Sequence, residues 1–239
     1  MSPWLRFFRV VNLPTVPGDV LVGVAAMASG GTAFGWRGIV GAVLAGILVY
    51  LFGLADNDIV GAATDADRPI VAGEISVRSA RSARALCLFG ALIVGAAFGL
   101  PAGWWPAAFA LTGVIVLYNR TKFSLAMGLC RGLNVLCGGM LAIPGGTPRG
   151  LVVLIALAGL WTIYITLVTV YSEGEERDPG RKHRVGLLVG AIVYLQLLAL
   201  VVLYLLSPAL LTRTLLVAGA AMLVWLRLMR RACPGVSAS

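Results

Sequence analysis

Charged side chains are scarce in this chain: Asp, Glu, Lys and Arg make up 12% of its 239 residues, against 59% hydrophobic, and the mean hydropathy is +0.94. That balance excludes a disordered protein and a water-soluble enzyme. Lysine occurs only twice, as Lys122 and Lys182, and histidine once. The four cysteines, Cys87, Cys130, Cys137 and Cys233, form no Cys-x-x-Cys pair and lie near no histidine cluster, so neither a disulfide framework nor a zinc site is indicated, and they read as packing residues. Acids are rarer than bases, 10 against 19, for a net charge of +9. In a polar chain that excess would suggest nucleic acid. In one this apolar it marks one side of a membrane, and no nucleic-acid partner is expected.

What the chain has instead is long apolar runs. A helix needs about 20 apolar residues to cross a hydrocarbon core, and such runs fall near 13–33, 38–56, 82–100, 104–118, 125–144, 150–171, 185–206 and 209–229, the fourth being short enough to suggest a tilted or broken helix. The expected fold is all-α, a polytopic bundle of about eight transmembrane helices in one domain over 1–239, with 232–239 a disordered tail. Met1 to Val11 carries Trp4, Arg6 and Arg9 and no cleavage site, so the first span is expected to be retained. With both termini in the cytoplasm, 15 of the basic residues fall inside and only Arg37, Arg149 and Arg213 outside, with Arg131 within a span, which sets the orientation. The outer connections are short and rich in Gly, Pro and Ser. The inner ones, near 57–81, 119–124 and 172–184, are where chemistry can reside.

Nine of the ten acids occupy two of those inner loops: Asp56, Asp58, Asp65, Asp67 and Glu74 after the second span, and Glu173, Glu175, Glu176 and Asp178 after the sixth. Only Asp19 lies elsewhere. Acids do not follow the positive-inside rule, so this clustering calls for a reason of its own. Two facing carboxylate clusters make a site for a divalent cation, and magnesium, which takes one or two protein carboxylates and completes its shell with water and phosphate, suits them. The plainer reading is solvated charges paired with Arg68, Arg177 and Arg181. A helix continuing out of the second span would place Asp58, Gly61 and Asp65 on one face, and Thr162, Thr166, Thr169 and Ser172 form a polar stripe toward the second cluster. Arg68, Lys122 and the intramembrane Arg131, which shares a face with Asn134 and Gly138, supply cations for an anion such as a diphosphate. An arginine within a span is costly and rarely idle; it walls a polar cavity or pairs with Asp19.

These residues resemble the UbiA superfamily of intramembrane prenyltransferases over nearly the whole chain. The first family signature is matched by N-D-I-V-G-A-A-T-D-A-D-R-P-I-V-A-G from Asn57 to Gly73, the second by V-T-V-Y-S-E-G-E-E from Val168 to Glu176, and the family's Tyr and Lys by Y-N-R-T-K from Tyr118 to Lys122. The segments from Arg9 and Met127 are similar to the UbiA-like branch of bacterial Ebo clusters. Gly61 and Val168 stand where the family has an aspartate, and the family often has nine spans. The resemblance implies transfer of a prenyl group from an isoprenyl diphosphate to a small acceptor, with magnesium as cofactor, in a bacterial cytoplasmic membrane whose lipid surrounds the protein, with the active-site loops on the cytoplasmic side. It assigns Asp58, Asp65 and Glu175 to catalysis and, with Asn57, to the metal, with Asp67, Glu173 and Glu176 as substitutes. Asn57, Arg68 and Lys122 would bind diphosphate; Asn12, Tyr118, Arg131, Asn134, Tyr171 and Ser172 would line the pocket, the tyrosines reading equally as interfacial belt residues. The alternatives are a terpene cyclase of the same superfamily and a catalytically degenerate binder of a lipid precursor.

Overall fold

The computed structural model describes residues 2–61, 68–142, 146–173, 179–207 and 210–232, and among them there is no strand. A short α1 (Pro3–Phe7) and one 3-10 turn (Val10–Asn12) precede eight long helices: α2 (Thr15–Ser29), α3 (Trp36–Val60), α4 (Val77–Ala97), α5 (Trp104–Thr121), α6 (Ser124–Gly139), α7 (Pro148–Ser172), α8 (Pro179–Leu206) and α9 (Leu210–Ala232). Each apolar run has become one helix. The fourth is continuous over its 18 residues and not broken. Six helical stretches are long and apolar enough to cross a membrane; α5 and α9 fall short of that measure. Helix α3 carries Asp58 and ends at Val60, with Gly61 as its cap; the expected continuation of that face to Asp65 falls outside the described residues. Asp65, Asp67, Glu175, Glu176, Asp178 and the tail beyond Ala232 lie outside the described residues.

The helix starts follow local chemistry. Thr147 caps α7, its hydroxyl accepting from Gly150 N at 3.2 Å, with Pro148 in the first turn, and Ser76 caps α4 by accepting from Ser79 N at 3.0 Å. Between α4 and α5 the chain turns at Gly99, whose φ of 66° favours glycine.

Helix α2 is the axis: all 15 of its residues are buried, which only a helix surrounded by others can achieve. It packs against α3, α6, α7, α8 and α9, while α6 joins it to α5 and α7. Small residues permit the closest crossing. A Cβ on Gly23 would lie 2.0 Å from the Val135 carbonyl oxygen, and one on Gly138 2.1 Å from that of Val20, so α2 and α6 touch backbone to backbone. Gly128 and Gly132 likewise admit Thr166 and Thr162 of α7. The threonine stripe is therefore part of a helix interface. Thr162, Thr166 and Thr169 each donate to the carbonyl four residues back, at 2.7 to 2.9 Å, and do not run as a polar path to the second acidic loop. The outer surface is apolar: Leu86, Phe89 and Ile93 on α4, Ile155, Ile163 and Leu167 on α7, and Leu198 and Leu205 on α8 are exposed, as lipid-facing residues of an integral membrane protein must be.

Gly138→Ala places a methyl group against the Val20 backbone, which cannot rotate away. We expect a loss of about 1–3 kcal/mol, read as a lower unfolding midpoint in detergent, whereas Gly113→Ala, with open space around it, leaves the midpoint unchanged.

Candidate functional site

The ends of α3, α5 and α7 and the starts of α4 and α6 meet at one end of the bundle, tied by side chains. Asp56 accepts from Arg84 Nη1 at 2.8 Å and Asn119 Nδ2 at 3.0 Å. Asp58 accepts from Arg68 Nη1 at 3.1 Å, and Arg9 Nη2 lies 3.7 Å away. Arg68 also donates to the Asn57 carbonyl at 2.7 Å, and Lys122 Nζ donates to Asn57 Oδ1. Ser124 Oγ donates to Glu173 at 2.8 Å, and Arg6 pairs with Glu74. The loops singled out from the sequence thus do converge, with Asn57, Asp58, Arg68 and Lys122 forming one cluster.

Backbone strain marks the same place. Arg9 (φ 40°) and Lys122 (φ 55°) are the two non-glycine residues in the left-handed region among the described residues. Each costs of order 1 kcal/mol or more, tolerated when the fold over-determines the position. At Lys122 the conformation ends α5 through a bond from its own N–H to the Tyr118 carbonyl at 2.8 Å, and sets Nζ 5.4 Å from the Tyr118 ring centroid. Partial burial first, then the Arg68 and Arg9 charges, push the Lys122 ammonium pKa below that of an ordinary lysine, against the opposing pull of Asp58 and Asp56.

From this cluster a cavity of about 140 Å³ descends between α2, α3, α5 and α6. Arg9, Asn57, Tyr118 and Asn119 line its mouth side, Tyr50, Gly53, Leu111 and Ile115 its walls, and Gly46, Arg131 and Asn134 its inner end. Eleven residues of α3 separate Asn57 from Gly46, a depth of roughly 16 Å at 1.5 Å per residue. Asn57 belongs to both the polar cluster and the cavity.

Arg131 both walls the cavity and pairs with Asp19, the two readings left open by the sequence. Its Nε lies 3.2 Å from Asp19 Oδ2 and its Nη2 donates to the Thr15 carbonyl at 3.0 Å. Asp19 has no exposed surface and accepts hydrogen bonds from Asn134 Nδ2 (3.1 Å), Trp161 Nε1 (2.9 Å) and Gln196 Nε2 (2.7 Å), joining α2, α6, α7 and α8.

Other expected residues are placed elsewhere. Asn12, Tyr171 and Ser172 do not line this cavity: Asn12 is buried in the 3-10 turn and its carbonyl accepts from Thr15 Oγ1 at 2.7 Å, the Tyr171 ring lies beneath Arg181, and Ser172 Oγ donates back to the Thr169 carbonyl. Among the described residues no three His, Cys, Asp or Glu side chains approach closely enough to hold a metal, and Asp65, Glu175, Asp67 and Glu176 are not among them. Sequence reasoning passed over Arg9, Tyr50, Asn119, Trp161 and Gln196. Two signals were available: Gln196 is the sole glutamine, set in an apolar span, and Asn119 adjoins Tyr118 in the Y-N-R-T-K stretch.

A model of the UbiA prenyltransferase family matches residues 20–234. Among solved structures, the chain is similar to a UbiA homolog from Archaeoglobus fulgidus bound to DMAPP and Mg2+ (TM-score 0.61, 17% identity, covering 98% of this chain and 89% of that one) and to the same homolog bound to GPP and Mg2+ (0.60, 17%, 100% and 91%). A digeranylgeranylglyceryl phosphate synthase is also similar (0.56, 16%, 96% and 87%). No curated protein sequence matches significantly.

Removing the Asp19 carboxylate leaves the Arg131 cation buried and uncompensated. Asp19→Ala is expected to cost about 3–5 kcal/mol, measured by denaturant unfolding in detergent, with Asp19→Asn intermediate.

Proposed function

The chain belongs to the UbiA prenyltransferase family, and on that footing we propose that it transfers a prenyl group from an isoprenyl diphosphate to a small acceptor at the end of the bundle where Asn57, Asp58, Arg68 and Lys122 meet. The observation that carries this reading is the junction at Asn57 of a cationic cluster with an apolar, membrane-embedded cavity: an amphipathic anion with a hydrocarbon tail matches both parts. The excess of basic residues in the inner connections supports a cytoplasmic mouth and eight spans.

The donor set suits magnesium. The Asp58 carboxylate and the Asn57 amide oxygen are hard ligands at the mouth, and Asp65 and Glu175, with Asp67, Glu173 and Glu176 in reserve, would complete the protein's share. Bound there, the metal would neutralise diphosphate charge. Arg68, steadied by the Asn57 carbonyl and Asp58, and Lys122, aimed by its strained cap, meet the phosphate oxygens and stabilise the charge that accumulates as the carbon–oxygen bond breaks. Tyr118 and Tyr50, which line the cavity, supply aromatic rings to stabilise the developing allylic cation, while Leu111 and Ile115 keep water from it. Those two tyrosines are the only aromatic side chains lining the cavity among the described residues, which favours capture by an acceptor over cyclisation.

Binding without turnover is the reading favoured by Val168, buried at an expected acid position, and by Gly61, which offers no carboxylate where the family has one and is covered by the Arg68 guanidinium. Full-length protein in lipid, given labelled dimethylallyl or geranyl diphosphate, separates the readings. We expect binding with magnesium, weakened by EDTA, and diphosphate release that falls at least ~100-fold in Asp65→Ala or Glu175→Ala. Binding without release supports the degenerate alternative, and no binding at any chain length overturns the proposal.

Because Lys122 is depressed when free and an anion beside it raises its pKa, binding takes up protons at pH between the two values. Affinity therefore falls with rising pH earlier than an ordinary lysine would dictate, and in Lys122→Arg that alkaline fall disappears; calorimetry in two buffers checks both.

A further inference from the structure

The inner end of the cavity carries an acceptor atom with no partner, in a position where hydrocarbon would otherwise be expected. Asn134 is 5% exposed, and its Nδ2 donates to the Val16 carbonyl (3.2 Å) and to Asp19 Oδ2 (3.1 Å). Both partners are acceptors only, so the orientation of the amide is fixed and Oδ1 must face the other way. Gly46 lies on that side, close enough that a Cβ there would be 3.4 Å from Oδ1. Asn134 Oδ1 is buried and receives no hydrogen bond. Gln196 Oε1 is also unpaired, but it is packed against Gly18, away from the cavity, whereas Asn134, Gly46 and Val16 all line the cavity.

The same end is electrically balanced. The Arg131 cation is matched by Asp19, whose Oδ1 accepts from Trp161 and Gln196 and whose Oδ2 accepts from Asn134 and lies 3.2 Å from Arg131 Nε as an ion pair. A carboxylate or phosphate placed here would have to compete with Asp19 for Arg131, and a prenyl tail offers no donor at all. An uncharged hydroxyl or N–H group satisfies the orphaned oxygen without disturbing the pair.

We propose that Asn134 Oδ1 is the specificity element for the second substrate, accepting a hydrogen bond from an uncharged hydroxyl or N–H group on a small ring-sized molecule. This rests on the transferase reading above. The recognised group is not the nucleophile, since it lies roughly 16 Å of helix rise below the diphosphate cluster; it anchors the far end of the acceptor while the near end reaches the allylic carbon. A cavity of about 140 Å³ is of the size that holds one small ring. Asp19 acts through Asn134 and Arg131 as a positioning residue.

The test uses phenol, anisole and benzoate as probes of equilibrium binding to the full chain in phosphatidylcholine nanodiscs, with and without geranyl diphosphate and magnesium. The wild type should bind phenol ~10-fold or more tightly than anisole, because losing the donor leaves the buried oxygen unpaired, and benzoate no better than anisole. Asn134→Leu should erase the phenol preference, with the fold of the variant checked independently by its circular dichroism and its unfolding transition in detergent. Gly46→Ala, which adds a methyl group in ordinary contact with Oδ1 and leaves Asn134 in place, should blunt the preference too. Equal binding of phenol and anisole to the wild type, a preference that survives Asn134→Leu, stronger binding of benzoate, or no phenol binding at its solubility limit each overturns the proposal. Failure of geranyl diphosphate to bind the wild type counts against the transferase reading alone, since the phenol–anisole difference is measured without it.

Discussion

The Asp19 carboxylate is the point on which the bundle turns. A charge inside a membrane protein must be neutralised and fully hydrogen-bonded by protein, because lipid supplies neither partner. Asp19 meets that demand through Arg131 and Asn134 of α6, Trp161 of α7 and Gln196 of α8. Satisfying one carboxylate therefore fixes the rotation of three helices about α2. Gln196 also donates to the Thr15 carbonyl at 2.7 Å, and Gly18 leaves the space it occupies. The network is not a lattice of interchangeable contacts. Taking away any one donor would leave the others holding an anion with an empty hydrogen-bonding site.

That internal order serves the mouth. With α2 and α6 held backbone to backbone at Gly23 and Gly138, the cavity lies between this pair and helices α3 and α5. The two strained residues, Arg9 and Lys122, sit where the entering chain and the α5–α6 corner meet that opening. Their positive φ values bring two cations toward Asn57 and Asp58 from different directions. Arg68 arrives from a third, lying over Gly61. The mouth is thus assembled from connections and helix ends, and the inner wall from rigid helices, a division that lets the polar end adapt to ligand while the inner end stays in register.

Legibility varied with the physics behind each signal. Hydrocarbon thickness imposes a length on apolar runs, so all eight long helices, and the sharing of one bundle end by residues 57, 68, 122 and 173, could be read from the chain. Helical spacing linked Asp58, Gly61 and Asp65; α3 carries Asp58, Gly61 caps it, and Asp65 lies outside the described residues. Periodicity misled once. The threonines of α7 looked like a polar path, yet in an apolar helix a hydroxyl satisfies itself on its own backbone, and the stripe instead packs on Gly128 and Gly132. Arg131 was ambiguous because sequence registers that a span contains a charge and not what lies across from it. Arg9 and Tyr50 gave no signal, since an arginine near the N-terminus and a tyrosine in a span have common structural roles.

The sequence by itself determined the class of solvent, the number of long helices and the gathering of acids and bases on chosen connections, because these follow from transfer free energies and chain length that act residue by residue. Only the tertiary structure decided that Asp19 and Arg131, separated by more than one hundred positions, form a neutral pair, that Arg9 joins Asp58, and that Asn134 turns an unpaired oxygen toward a cavity. Those outcomes depend on the rotation of each helix about its axis. A strongly apolar sequence constrains that rotation weakly, since almost every face of such a helix suits either lipid or protein, and the few polar groups settle it only by finding one another.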